Sequence, residues 1–283
     1  MQKEIVIRKA TFDDYAPLAN FLSFEYFIHR HLDWRSALDW LGKHPFLVAE
    51  RDKEILACFA APNDVPDSTW VRLFACSASI SRQEVWENFF EKALQLFNPN
   101  IEIIGVLAIE NWLLHLIEKT KFQLSQEIIV FEKTINEFLD IKNRNDIQIR
   151  LMDSDDLKRV VDLDSICFPS LWQMPLETMN LAYLQSGYAT VVENGEEIIA
   201  YQLTTENFSS AHLARIAVLP AFQNNGIAGY LVSDLNNYYK KLGFSRITVN
   251  TQNDNKTSTL LYRKFGFTLL PDHYPVFTYP ISV

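Results

Sequence analysis

The chain has 283 residues, of which 48% are hydrophobic and 22% charged, and this composition excludes a disordered, collagen-like or coiled-coil chain. Its formal net charge of −9 disfavours a general binder of nucleic acid or of anionic membranes, because an acidic surface repels both polyanions. No apolar run reaches the roughly 18 residues of a membrane helix, and the three widely spaced cysteines are typical of reduced thiols. We therefore expect a cytoplasmic protein with no nucleic-acid or membrane partner. The histidines lack zinc-ligand spacing, so we expect no metal.

The sequence contains an internal repeat. IVIR at residues 5–8, followed by Asp13-Asp14, recurs as IQIR at residues 147–150, followed by Asp155-Asp156. Two further pairs keep this order: FLVAERDKEILA with ATVVENGEEIIA, and VRLFAC with LARIAV. Chance seldom preserves such order along half a chain, so the repeat predicts two copies of one fold. The polar stretch 136–146 loses strand alternation and is typical of a linker, which predicts domains 1–138 and 146–283.

In chain order, the second copy is predicted to hold a strand, helices, a hairpin, a longer strand, and then helix, strand, helix, strand, an α/β organisation. Two β-branched runs flank Asn194-Gly195, a hairpin signal, and AHLARIAVLP is a strand ended by Pro220. Apolar residues at helical spacing then predict one helix face, closed by Gly243: Ile227, Leu231, Leu235, Tyr238 and Leu242. Asn255 to Phe265 is a second predicted helix, closed by Gly266.

The loop between the longer strand and its helix is the first candidate site. It reads QNNGIA, from Gln223 to Ala228. A glycine turn that opens directly into a helix lets backbone N–H groups converge where the helix dipole is positive, which is how proteins hold phosphate. The loop is neither a Walker loop nor a dinucleotide fingerprint, and by itself it is equally typical of an ordinary helix start.

The second copy contains, in this order, LARIAVLP, QNNGIA, a predicted helix, RITVNT and NDNKTSTLLYRKFGF. This arrangement resembles the GCN5-related N-acetyltransferase (GNAT) superfamily over about residues 147–283. The resemblance implies two tandem acyl-CoA N-acyltransferase folds of α/β class (an α+β mixed sheet), with acetyl-CoA as co-substrate. It implies that the pyrophosphate of coenzyme A lies on the backbone amides of Gln223, Asn224, Asn225, Gly226, Ile227 and Ala228. It also implies that the backbone of Ala217 and Val218 pairs with the pantetheine arm, that Asn255 binds the same arm, and that Tyr262 faces the sulfur.

Acetyl transfer to an amine needs N–H donors at a developing oxyanion and a proton donor at the leaving thiolate. Tyr262 can be that donor, because a phenol is protonated at neutral pH; the alternative is a core aromatic residue. In the ribosomal-protein alanine acetyltransferases, which the domain resembles, a glutamate serves as base at the position that is Asn250 here, and an amide cannot do so. Glu206 and His212 remain as candidate bases. Cys167 leaves open a covalent route.

The sequence therefore predicts an enzyme that transfers acetyl from acetyl-CoA to a primary amine by direct attack. The acceptor is expected to be a small-molecule or peptide amine, and the protein a monomer or homodimer. Two alternatives remain: a non-catalytic acyl-CoA-binding or regulatory protein, and a tandem amino-sugar acyltransferase.

The first copy is predicted to be degenerate. At the spacing of 142 residues, Gly226 corresponds to Glu84 and Ala228 to Trp86, in the loop SRQEVW. At the later spacing of 145 residues, Tyr262 corresponds to Ile117. A carboxylate and an indole then replace bare backbone, and the proton donor is lost. We expect the second copy alone to bind coenzyme A.

Overall fold

The computed structural model describes residues 4–140 and 146–281 and divides into two compact units. The first unit comprises the described residues of Met1–Ser125 and Tyr274–Val283, and the second comprises those of Gln126–His273. The units are defined by spatial contacts and the predicted domains by sequence repetition, so the ranges 1–138 and 146–283 stay a prediction. The predicted linker, 136–146, lies partly outside the described residues.

Strands and helices alternate along both halves. The strands up to residue 134 are β1 (Val6–Lys9), β2 (Phe27–Arg30), β3 (Phe46–Arg51), β4 (Glu54–Ala60), β5 (Ser68–Trp70), β6 (Leu73–Cys76), β7 (Ile103–Leu107) and β8 (Gln123–Thr134). The later strands are β9 (Gln148–Leu151), β10 (Tyr188–Asn194), β11 (Glu197–Asn207), β12 (Ser210–Val218), β13 (Arg246–Gln252) and β14 (Thr268–Pro280). The α-helices are α1 (Tyr15–Phe24), α2 (Arg82–Leu94), α3 (Asn111–Ile117), α4 (Leu157–Cys167), α5 (Leu176–Gln185), α6 (Ile227–Lys241) and α7 (Lys256–Lys264).

In the first unit, five antiparallel strands form a sheet in the order β1-β3-β4-β6-β2. A parallel pair, β5 with β7, continues in the antiparallel pair of β7 with the end of β14. The sheet is buried on both faces, since β3, β4 and β6 are almost wholly apolar. Helix α2 covers one face with Trp86 and Phe89, and α1 covers the other with Leu18.

In the second unit the strand order is β8-β13-β12-β11-β10-β9, and among its described strands only the β12–β13 pair is parallel. Leu231 and Leu235 of α6 are buried in the core, as predicted. The C-terminal end of this helix differs from the prediction, because Tyr239 is buried in place of Tyr238 and Leu242 is half exposed. The helical repeat of 3.6 residues moves the buried face away from a strict spacing of four.

The tandem α/β fold is confirmed. The succession of a short strand, a helix, a hairpin and a strand in the first half recurs in the second, with β1, α1, β3, β4 and β6 matched by β9, α4, β10, β11 and β12. The hairpin predicted at Asn194-Gly195 joins β10 to β11, with Asn194 opposite Glu197. Gly195 adopts φ +63°, the left-handed conformation that such tight turns need.

Candidate active site

The two parallel strands of the second unit separate part-way along their length. Ser210–Leu213 of β12 pairs with Arg246–Val249 of β13, and among the described residues the pairing stops there, although β12 continues to Val218. Over the same stretch β12 stays paired with β11 on its other side. One edge of β12 is therefore open beyond Leu213, and its backbone groups can take an added strand.

The ladder with β11 decides which groups face this open edge. The N–H of Leu219 donates to the carbonyl of Ile199 at 2.9 Å, one step beyond the pair of Ala200 and Val218 that ends the β11–β12 register. Because hydrogen-bonded and non-hydrogen-bonded pairs alternate in an antiparallel ladder, the backbone groups of Val218 and Ile216 point away from β11. Those of Ala217 point toward it. The alternation thus places Val218 on the open edge together with Ile216, a residue that the sequence analysis missed.

The strand is irregular at the point of separation. The register with β11 shifts between Leu203 and Thr204, which leaves Ala214 as an extra residue in β12. A bulge of this kind re-aims backbone groups and is common beside active sites. It lies next to Leu213, the last residue of β12 that pairs with β13.

The loop that follows β12 leads directly into α6. A 3-10 turn, Pro220–Phe222, is followed by exposed residues and then by Gly226 at φ +79° as the N-cap of the helix. Within the part of the chain that the structure describes, no side chain caps this helix end, and its first turn holds no acidic residue. The first N–H groups of a helix have no partner inside it, so those of Ile227 and Ala228 are free to bind an anion.

Two side chains shape the loop. Gln223 donates through Nε2 to the carbonyl of Val218 at 3.0 Å, and Asn225 donates through Nδ2 to the carbonyl of Phe222 at 3.3 Å. Asn224 adopts a left-handed φ of 62°. These contacts fold the loop back on the end of β12, so the uncapped amides lie next to the open edge.

Tyr262, on α7, lies in the core near the strand separation. Its ring centroid is 5.7 Å from that of Phe131, whose partner on β13 is Val249, the last residue of that strand to pair with β12. Its ring also lies 5.7 Å from Phe267. Burial raises the pKa of the Tyr262 phenol, while a hydrogen bond with Ser258 opposes that shift. The phenol is therefore protonated at neutral pH.

Asn255 has a structural role that the sequence analysis did not foresee. Its Oδ1 atom accepts a hydrogen bond from the backbone N–H of Ser258 at 3.0 Å and so caps α7. The Nδ2 group is the part of this side chain that a ligand can use. The predicted contact of Asn255 with the pantetheine arm stays a prediction.

The two candidate bases lie close to each other along the strands. Glu206 is exposed at the end of β11, opposite Ala211. Its carboxyl group packs directly against Gly187, where an added Cβ atom would come within 2.1 Å of the Glu206 carboxyl carbon. His212 lies one residue before Leu213, and its Nδ1 atom is 2.9 Å from Thr248 Oγ1. Burial lowers the pKa of His212, so it is neutral at pH 7.

Cys167 lies at the end of α4, where its thiol donates to the carbonyl of Val218 at 3.4 Å. Burial raises the pKa of this thiol to about 11, and the carboxylate of Asp164 adds to the shift. The thiol is therefore un-ionised at neutral pH. A nucleophilic cysteine needs the thiolate, so this environment disfavours the covalent route.

A buried charged group ties α4 to β12, and no signal in the sequence marked it. Asp164 is fully buried and forms an ion pair of 2.7 Å with Arg215, while the hydroxyl of Tyr201 donates to the same carboxylate. Arg215 also donates to the carbonyl of Trp172 at 2.7 Å and lies 3.5 Å from the centre of the Phe168 ring. These contacts hold the segment 168–172 against the strand that bears the open edge.

The corresponding site in the first unit is closed. Helix α2 is capped by Ser81, whose Oγ accepts from the N–H of Glu84 at 3.3 Å, and Glu84 places a carboxylate in the first turn. Trp86 was expected to block the loop, but only 1% of it is exposed and it packs against Phe59 and Phe74. The indole fills the core, and the cap and the carboxylate close the loop.

Comparison with known proteins supports this description. Residues 157–267 match the family model described as Acetyltransferase (GNAT) family. Among solved structures, a GCN5-related N-acetyltransferase from Sphaerobacter thermophilus is similar with a TM-score of 0.62 and 14% identity, covering 100% of this chain and 98% of that one. A tandem GNAT protein from the clavulanic acid biosynthesis pathway is similar with a TM-score of 0.59 and 11% identity, covering 99% of each chain. No curated protein sequence matches the chain.

The fold is thus that of the acyl-CoA N-acyltransferases, in tandem. Residues 157–267 match the GNAT family model, and this match supports acyl-CoA-dependent N-acyltransferase activity at the level of the family. Within residues 4–140 and 146–281, no helix is long and apolar enough to cross a membrane. The same residues contain no group of three or more His, Cys, Asp or Glu side chains that could hold a metal ion.

Proposed function

We propose that the second unit transfers an acetyl group from acetyl-CoA to a primary amine by direct attack. The observation that carries this proposal is the juxtaposition of the uncapped, glycine-led end of α6 with the open edge of β12. A pyrophosphate needs converging N–H groups without a competing carboxylate, and an extended amide chain needs an unpaired strand edge. Coenzyme A contains both groups, joined in one molecule.

The described residues fit this co-substrate. Of the predicted amides from Gln223 to Ala228, that of Gln223 donates to the carbonyl of Pro220, so those from Asn224 to Ala228 would hold the pyrophosphate. The backbone of Ile216 and the N–H of Val218 would pair with the pantetheine arm, since the carbonyl of Val218 already accepts from Gln223 and Cys167. The arm then runs toward the bulge at Ala214. The thioester would lie near the strand separation, on the side of Tyr262.

The chemistry of the transfer assigns roles to the chain's own groups. The amine nitrogen forms a bond to the thioester carbonyl carbon, the carbon–sulfur bond breaks, the nitrogen loses a proton and the sulfur gains one. N–H groups on the open edge near the bulge would stabilise the oxyanion. Because the phenol pKa of Tyr262 lies above that of a thiol, this residue would stabilise the departing thiolate by donating a hydrogen bond, with the proton balance completed by the proton that the amine releases.

Glu206 stays our proposed base, and His212 is the alternative. Both residues lie near the point where β12 and β13 separate. Glu206 is opposite Ala211, which is two residues before Leu213. At about 3.3 Å per residue, that spacing is roughly 7 Å along the strand. A water molecule between the carboxylate and the amine could span the remaining distance.

The proposal is tested by incubating the full chain with acetyl-CoA and a panel of amines that includes amino sugars and short peptides, while free thiol is measured. Thiol release that depends on one class of amine supports acetyl transfer and names the acceptor. Tight binding of acetyl-CoA with no release for any amine would instead favour the non-catalytic acyl-CoA-binding protein.

A further inference from the structure

The first unit contains a cavity that the site described above does not use. Its volume is about 320 Å³, which lies at the small end of the range for ligand pockets. Helix α1, the residues that follow β2, the 3-10 turn Ala37–Trp40 and the residue before β6 line it. All of these elements belong to one compact unit, so the cavity is a feature of that unit alone.

Three arginine residues line this cavity in a chain that is acidic overall. Arg30, Arg35 and Arg72 line it, and Asp33 is the only carboxylate among its lining residues in the described ranges. Like charges gathered at one place raise one another's electrostatic energy unless an anion lies between them. The cavity is therefore a local positive site, in contrast with the net charge of −9 of the whole chain.

Arg72 is the most buried of the three. Its guanidinium lies 3.3 Å from Asp33 and 3.3 Å from Asp64, with the side chain only 10% exposed. Its Nε atom is buried and has no hydrogen-bond partner among the described residues. A buried N–H donor without an acceptor is costly, and a ligand oxygen would satisfy it.

The guanidiniums of Arg35 and Arg72 both contact the ring of Trp40. Their Cζ atoms lie 4.9 Å and 5.1 Å from the ring centroid of Trp40. Burial lowers the pKa of Arg72, and the positive charge of Arg35 lowers it further, while Asp33 and Asp64 oppose the shift. Burial and a neighbouring cation thus both disfavour the charged form of Arg72, and a bound anion would favour it.

A neutral histidine and an apolar wall complete the cavity. Burial lowers the pKa of His31, and the nearby charge of Arg72 adds to the effect, so the imidazole is uncharged. Its Nδ1 atom is buried and has no partner within the described ranges. Leu22, Leu38 and Trp40 supply apolar surface on the other side.

We propose that this cavity binds a small organic monocarboxylate, with its carboxylate at Arg72 and Arg35 and its apolar body against Leu22 and Leu38. Planar guanidiniums match the two oxygens of a carboxylate. Inorganic phosphate fits less well, because a dianion would meet Asp33 and leave the apolar wall without a contact. An amine is disfavoured by the three cations.

Calorimetry on the full chain, without coenzyme A, tests the proposal. The probes are acetate, butyrate, hexanoate, benzoate and phenylacetate, compared with 2-phenylethanol, benzylamine and inorganic phosphate. We expect at least one of the larger carboxylates to bind at one site per chain, and to bind at least tenfold more tightly than acetate, the alcohol, the amine or phosphate. Failure of all five carboxylates, or equal binding of phosphate, would overturn the proposal.

Variants locate the binding. Arg35→Gln removes one cation, and Leu38→Trp fills the cavity without changing its charge; each should weaken binding at least tenfold. Arg246→Gln is the matched control, because this arginine is half exposed on β13 in the other unit, and it should leave the affinity unchanged. Binding that persists in a folded Leu38→Trp variant would place the ligand elsewhere. These results are independent of acetyl transfer, which involves none of these residues.

Discussion

Arg150 donates two hydrogen bonds to the carboxylate of Asp156, at 2.5 Å and 2.8 Å, and this pair joins the strand β9 to the start of α4. The first unit has the same arrangement between Arg8 and Asp14, with both bonds at 2.7 Å. Each arginine also pairs with a glutamate of the neighbouring strand, Glu193 or Glu50. The repeat has therefore preserved an ion-pair network as well as a strand pattern.

The ion pair of Arg150 and Asp156 predicts how the free energy of unfolding depends on pH. The hydrogen bonds from Arg150 lower the pKa of Asp156 to about 2 from its usual 3.8, although burial opposes them. A lowered folded-state pKa stabilises the fold above the unfolded value, and that contribution is lost as the pH falls from about 4 to about 2. Asp156→Asn should lower the free energy of unfolding by about 2 kcal/mol at pH 7, and by about half as much at pH 3.

Urea unfolding of wild type and variant at pH 7, 5 and 3 measures this dependence. Asp14→Asn is the matched variant of the first unit, and its effect should be smaller, because its partner Arg8 is 36% exposed. A difference between wild type and Asp156→Asn that stays constant from pH 7 to pH 3 would contradict the ion-pair account.

Gly226 is the position at which the proposed pyrophosphate site can be tested most directly. A Cβ atom there would meet nothing within 4 Å, so the cost of a side chain is the left-handed backbone at φ +79°. Gly226→Glu should weaken coenzyme A binding at least tenfold by calorimetry, because it puts a carboxylate beside the amides. Gly226→Asn, which tolerates this conformation, should weaken it less.

Gly195 provides the control for backbone strain. It too has a positive φ and no atom within 4 Å of an added Cβ, and it lies in the β10–β11 turn. Gly195→Glu should leave coenzyme A affinity unchanged. Equal affinity in folded Gly226→Glu would show that the cofactor lies elsewhere.

Tyr262→Phe tests the donor at the thiolate. The ring should keep its packing against Phe131 and Phe267, so the fold and the affinity for acetyl-CoA should change only a few-fold. Turnover should fall by about 10² or more, the usual contribution of a positioned acid. Tyr238→Phe removes a phenol from α6 and should be silent. Unchanged single-turnover rates in Tyr262→Phe would make this residue a core aromatic only.

The sequence predicted the fold well where local pattern and burial agree. The hairpin at Gly195 and the α6 cap at Gly243, which has φ +78°, follow from turn chemistry that acts over a few residues. The strand separation after Leu213 could not be predicted from local pattern, since it is a property of the pairing between β12 and β13, whose paired residues are 36 apart in sequence. The buried pair of Asp164 and Arg215 was equally hidden, because 51 residues separate its members in sequence.

The candidate site was predicted in part for the same reason. The loop Gln223–Ala228 and its uncapped helix are local features, so their residues could be named from the motif. The helix cap at Asn255 is local too, since Ser258 is three residues away, and an Asn before a helix could have indicated it. The burial of Trp86 depends on neighbours more distant in sequence, Phe59 and Phe74. The cavity at Arg72 is lined by residues from three separate segments of the chain, and no spacing in the sequence predicts it.

The base is tested by paired variants and a pH profile. If Glu206 takes the proton, Glu206→Gln should lower kcat/KM by about 10² or more, while Glu197→Gln, an exposed carboxylate on the same strand, should have no effect. If His212 is the base, His212→Gln causes the loss, and the acid limb of the wild-type profile lies below pH 6.5, since burial lowers the pKa of that imidazole. Normal activity in Glu206→Gln would remove Glu206 from the mechanism.

The last prediction is that the chain binds one coenzyme A, held by the second unit. In the first unit, Ser81 occupies the N–H of Glu84 at the start of α2, and the carboxylate of Glu84 opposes an anion at that helix end. The residue that corresponds to Tyr262 is Ile117, which is fully buried in the apolar core. Calorimetric titration with coenzyme A should therefore give one site per chain, and Gly226→Glu should remove it without exposing a second. Two equivalent sites, or a residual site of similar affinity in that variant, would show that the first unit has kept a cofactor site of its own.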